Sequence, residues 1–165
     1  QLEEVTFRRT VIPVQELLDA AGKYFKKLMK NRSERIELEI EPMEAKVIGD
    51  VNQLRFLLEN LIDEALTVRE DGVIRLQARK DNEYIRFLFT DTRREKSVEE
   101  LNQLFYPNLA RMTSGEKGEL RGTEYLICKQ IIRDHDEFAG RRGCRINAEP
   151  AEGGGFTVYF TIPRR

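Results

Sequence analysis

The chain of 165 residues has few cysteines, one histidine and no surplus of charge. Its two cysteines, Cys128 and Cys144, make neither a disulfide framework nor a C-x-x-C metal pair, so a reducing compartment fits them. Lys and Arg total 28 against 29 Asp and Glu, a formal charge of -1, and no global attraction to nucleic acid or anionic lipid follows from it. The arginine pairs Arg8-Arg9, Arg93-Arg94, Arg141-Arg142 and Arg164-Arg165 are scattered, as solvated surface is, rather than gathered into a phosphate-binding stripe. No apolar run approaches the roughly 18 residues of a membrane span, and no charged-then-apolar signal opens the chain. A cytoplasmic segment without membrane contact is expected, with any anchor lying outside it. Gln1 stands where a methionine would start a whole protein. Residues 1–165 are therefore expected to form a single domain excised from a longer multidomain protein.

Within those bounds, apolar spacing lays out the elements. After Pro13, Val14, Leu17, Leu18, Ala21, Phe25, Leu28 and Met29 recur at helical intervals, with Pro13 expected in the first turn. The alternation of "RIELEIE" predicts a half-buried strand, and "AKVIG" a short one that ends before Asp50, a credible N-cap. From Val51 to Glu70, Leu54, Leu57, Leu58, Leu61, Ile62, Ala65 and Leu66 form one broad face that stops at Asp71-Gly72. "VIRLQARK" and "YIRFLFTD" predict a hairpin with a turn longer than two residues, Asp81-Asn82-Glu83. Ser97 with Glu100 makes a capping box. Periodicity fails from Pro107 to Gly122, which predicts a mobile loop; a helix, "TEYLICKQIIRDH", and two closing strands follow. This order predicts an α+β fold, a two-layer α/β sandwich with one mixed sheet and helices packed on one face.

Three stretches then stand out: "VIGDVNQLRFLLENLIDEAL", "FTDTRREKSVEELNQLFYP" and "GTEYLICKQIIRDH…GCRINAEPAEGGGFTVYFTIP". Together they resemble the catalytic, ATP-binding domain of sensor histidine kinases, the fold shared with type II topoisomerase and chaperone ATPases. Taken singly, Asp91, Asn60 and Gly122 could also be ordinary strand-end, helix and cap residues of an unrelated two-layer domain.

The resemblance implies a nucleotide site, and this sequence departs from its pattern at each part. Asp91 matches the carboxylate that accepts the adenine amino group, but Arg93 and Glu95 occupy the two following glycine positions, where bare backbone would let a purine approach. Asn60 lies one turn before Glu64, which stands where a side-chain amide would hold Mg²⁺. A carboxylate can ligate Mg²⁺, yet it adds charge beside a triphosphate, and Thr67 replaces a frequent cation. Gly122 is kept at the lid end, whereas Glu124 replaces a glycine whose N–H would meet phosphate. Lys117 and Arg121 are the cations that could offset it. His135 is expected as a structural or surface residue, and residues 1–165 are expected to lack the acceptor-histidine helix of a complete kinase.

These departures lead to the expectation of a vestigial ATP site made of Asn60, Glu64, Asp91, Arg93, Glu95, Gly122 and Glu124, with no confident catalytic residue and no cofactor. The expected function is a pseudokinase-like module of a two-component protein, signalling by contact with upstream domains of its own chain, a dimer partner or a signalling protein. The alternative is a working histidine kinase catalytic domain that binds ATP and Mg²⁺, the metal on Glu64. Buried like charges at Glu64, Asp91 and Glu124 would need a counter-charge. Arg93 or Arg94 is the nearest candidate, plugging the purine volume with a guanidinium.

Overall fold

A computed structural model describes residues 6–107 and 122–165, so the expected mobile loop falls, apart from its two end residues, outside the described ones. The first strand, β1 (Thr10–Pro13), runs directly into helix α1 (Val14–Met29). Pro13 occupies the N-cap of that helix with φ −62 and no side-chain cap, one position earlier than expected. The orphan N–H of Val14 is met instead by Ala45 O at 2.9 Å. Strands β2 (Ile36–Ile40) and β3 (Lys46–Gly49) follow, then helix α2 (Val51–Ala65). Strands β4 (Gly72–Asp81) and β5 (Tyr84–Asp91), the short helix α3 (Val98–Asn102), helix α4 (Glu124–Phe138) and strands β6 (Ile146–Pro150) and β7 (Phe156–Pro163) complete the described chain.

The main sheet has five strands in the order β2-β4-β5-β7-β6. β2 pairs with β4 in parallel and every other neighbour is antiparallel, so the sheet is mixed as expected. A second sheet of two strands, β1 with β3, was not foreseen. Its four-residue strands are too short for alternation to show, and β1 ends on a proline better known as a helix starter. The β4–β5 hairpin also differs from expectation. Asp81 pairs with Tyr84, so the turn is the two residues Asn82-Glu83, made possible because Asn82 takes the left-handed conformation at φ 54.

Alternation sorts the sheet into two faces. Ile74, Leu76, Ala78, Ile85, Phe87, Phe89, Val158, Phe160 and Ile162 are buried beneath the helices, and Phe87 stacks on Phe160 with ring centroids 4.8 Å apart. The helices close over them with the apolar faces read from the sequence, Leu17, Leu18 and Phe25 of α1 and Leu54, Leu57, Leu58 and Leu61 of α2. Each such side chain contributes about 1.5–3 kcal/mol by leaving water. Glu37, Glu39, Arg75 and Arg79 alternate onto the opposite, solvent-facing side.

Asp50 caps α2 as expected, accepting from the N–H groups of Asn52 and Gln53 at 3.0 and 3.1 Å. His135 is buried in the core and holds that cap from α4. Its Nε2 accepts from Asp50 N at 3.0 Å, while Nδ1 lies 2.8 Å from Ile131 O. This pairing requires the neutral ring with the proton on Nδ1, and burial pulls the His135 pKa below its ordinary value. Gly49 makes the arrangement possible, because a Cβ there would come within 2.8 Å of the ring.

Candidate functional site

Helix α2 ends at Ala65, five residues short of the apolar pattern that predicts it to run to Glu70. A side chain from another element holds that end. Arg93, just past the end of β5, donates Nη2 to Ala65 O at 2.6 Å and Nη1 to Val68 O and Glu70 O, each at 2.9 Å. One guanidinium thus adds a donor to Ala65 O, which also accepts from Val68 N, and serves two carbonyls of the loop that follows the helix. Gly72 supplies the room, since a Cβ at that position would run into the aliphatic stem of Arg93.

The same guanidinium grips Asp91. Oδ1 of Asp91 accepts from Arg93 N and Nε at 3.0 Å each, and Oδ2 accepts from Arg93 Nη2 at 3.0 Å and from Arg94 Nε at 3.1 Å. An ionised carboxylate offers about four lone-pair directions, so these four donors use them all. The Asp91 and Arg93 side chains are each only 2% exposed. Water does not screen this pair.

Arg94 spans the cleft between β5 and α2. Besides Asp91 it reaches Glu64 Oε1 at 3.3 Å, and its guanidinium carbon lies 5.4 Å from the centroid of the Phe156 ring. Such stacking suits a planar cation with little water around it. Burial raises the Glu64 pKa, Arg94 pulls it back, and the nearby Glu124 carboxylate pushes it up again, with a net rise. Burial works against the Arg94 charge, but Tyr125, Asp91 and Glu64 outweigh it and hold its pKa above the ordinary value.

The remaining expected residues are placed differently. Asn60 is buried, and its amide donates to Phe56 O of its own helix at 2.8 Å. Glu95 is exposed and turns toward the loop between β6 and β7, where Oε1 accepts from Gly155 N at 3.4 Å. Gly155, at φ 84, lets that loop lie against the backbone of Asp91 and Thr92, a space any Cβ would fill. Gly122 keeps a left-handed φ of 80. Glu124 opens α4, and its Oε2 is buried with no hydrogen-bond partner among the described residues. Asp91, Arg93, Arg94 and Glu64 therefore form one bonded cluster, which neither Asn60 nor Glu95 enters. Sequence reading missed the carbonyls of Ala65, Val68 and Glu70, and also Phe156, Tyr125 and Gly72, none of which has a spacing that marks it.

No match was found among curated proteins. Solved structures with the same fold include the nucleotide-free catalytic domain of histidine kinase ThkA, with a TM-score of 0.72 and 22% identity over 97% of this chain and 98% of that one. The mycobacterial sensor histidine kinase MprB gives 0.72 and 20% over 96% and 99%. Full-length ShkA in complex with AMPPNP gives 0.73 and 16% over 97% of this chain and 32% of that one. The family model described as histidine kinase-, DNA gyrase B- and HSP90-like ATPase matches residues 49–165. That stretch runs from Gly49 at the end of β3 through the Asp91 cluster and β7 to residue 165, and the chain belongs to this ATPase family.

Proposed function

We propose that the chain is a degenerate histidine-kinase-type ATPase domain of a two-component signalling protein, a pseudokinase-like module that acts by contact and binds ATP weakly or not at all. One observation carries this reading: the four donors on Asp91 leave its carboxylate no free lone pair for an adenine amino group. Withdrawing Arg93 to free it would take the side-chain donor from the carbonyls of Val68 and Glu70 and leave Ala65 O with Val68 N alone. The site does not fit Mg²⁺ well either, since Glu64 is engaged by Arg94, whose positive charge would repel the ion. No step of phosphoryl transfer is assigned to these residues.

Contact partners would be upstream domains of the same protein, a dimer partner or another signalling protein. A solved complex of ThkA with the response regulator TrrA supports a role of that kind. A working ATP-binding domain is the second reading, favoured by the retained left-handed Gly122 and by the AMPPNP complex of ShkA.

A melting experiment separates the two. Saturating a native site a hundredfold above its dissociation constant adds about 2.7 kcal/mol, which is roughly 5–10 °C for a chain of this size. The expected shift with millimolar Mg²⁺ATP is below about 1 °C relative to Mg²⁺ alone. A rise of several degrees establishes the working domain instead.

A further inference from the structure

β2 is an edge strand, bonded to β4 on one side only. At its two ends Gly72 N donates to Arg35 O at 3.0 Å and Glu41 N donates to Leu76 O at 3.2 Å. These bonds fix the phase of the parallel ladder, because successive peptide groups along a strand point to opposite sides. The odd-numbered residues face β4. The N–H and C=O groups of Ile36, Leu38 and Ile40 therefore face the free edge.

Helix α1 stands off from that edge and leaves an open groove of about 750 Å³, walled by Leu18, Gly22 and Phe25 on one side and by Leu38 and Ile40 on the other. Glu37 and Glu39 line it on the solvent-facing side of the sheet and are exposed. Arg75 meets Glu39 at 3.1 Å, whereas Glu37 has no partner among the described residues. The α1 rim carries Asp19 beside Lys23 and Lys26, a net charge of +1, and the two glutamates turn the groove lining as a whole negative, so they set the preference. A second copy of this chain does not suit the edge. Pairing β2 with β2 puts glutamates opposite glutamates, which destabilises a strand pair.

We propose that the β2 edge accepts an extended segment of a partner protein as a sixth strand, with apolar side chains facing α1 and lysine or arginine beside Glu37 and Glu39. Main-chain bonds to Ile36, Leu38 and Ile40 supply attachment, and alternate side chains supply selectivity. The same glutamates repel edges that carry acidic residues. This surface is independent of the Asp91 cluster and of whether ATP binds there.

The test titrates the isotope-labelled protein with a synthetic Lys-Val-Lys-Val-Lys-Val peptide while following amide exchange. Exchange at Ile36, Leu38 and Ile40 is expected to slow at least about tenfold on saturation. A Glu-Val-Glu-Val-Glu-Val peptide should bind about tenfold more weakly, and a lysine peptide N-methylated at alternate residues should not bind. Glu37→Lys with Glu39→Lys, both at exposed positions, should reverse the preference between the two charged peptides. No protection of those three amides at millimolar peptide overturns the proposal. So does equal binding of all three peptides, or concentration-dependent protection of the same amides without peptide, which would mark the edge as a self-association surface.

Discussion

Replacing Arg93 by alanine removes three donors from the carbonyls of Ala65, Val68 and Glu70 and two from Asp91 at once. The carboxylate then keeps only the Arg93 main-chain N–H and Arg94 Nε. Breaking a buried ion pair by deleting one partner costs about 3–5 kcal/mol, and both side chains here are 2% exposed, so no discount for solvent applies. Arg94 still holds Oδ2, which places the expected loss near the lower end, about 3 kcal/mol. Out of a total stability of about 5–15 kcal/mol that is a large share. It corresponds to a fall in melting temperature of roughly 6–12 °C. Urea unfolding of Arg93→Ala, Asp91→Asn and the double variant gives the coupling directly, which is expected to exceed about 1 kcal/mol. A loss below about 1 kcal/mol in the single variant, or additivity within about 0.5 kcal/mol in the double, would refute the reasoning. Either result would mean that water, not Arg93, solvates Asp91.

Two pH predictions follow, with opposite signs. Glu64 has a folded pKa raised above its ordinary 4.5, so the folded state holds the proton more tightly and stability falls as pH rises through the window above that value. Glu64→Gln should flatten this slope in urea melts and leave the protein no less stable at neutral pH, because Arg94 keeps Asp91. His135 has a folded pKa depressed below 6.5, so its contribution is present above that pH and is lost as pH falls toward the folded value. His135→Phe should abolish that slope and cost about 1–3 kcal/mol at pH 7 by leaving Asp50 N without an acceptor. An unchanged slope in either variant counts against the assignment of its group.

Much of this architecture was legible as pattern. Apolar spacing marked α1 and α4, and Asp50 and the Ser97–Glu100 box carried their own chemistry. Alternation found β4 and β5. What escaped was set by partners distant in sequence: β1 exists as a strand only through β3, and the end of α2 at Ala65 is held by Arg93 from beyond β5. At the cluster, charge reasoning identified the need for a counter-ion near Asp91 and named two arginines, and both are there. It did not foresee that one would be shared with main-chain carbonyls, since carbonyls carry no sequence signal. Glu124 received no counter-charge from either arginine among the described contacts.

The shared role of Arg93 also bears on how the sequence is able to change. A glycine at that position, reached in one substitution, would uncover a carboxylate still held by Arg94 and would loosen the end of α2 before offering open space to any ligand. Gly72, in turn, tolerates no side chain while the Arg93 stem lies against it. Positions 72, 91, 93 and 94 are thus linked by direct contact, so a change at Gly72, Asp91 or Arg93 is felt by its neighbours as well.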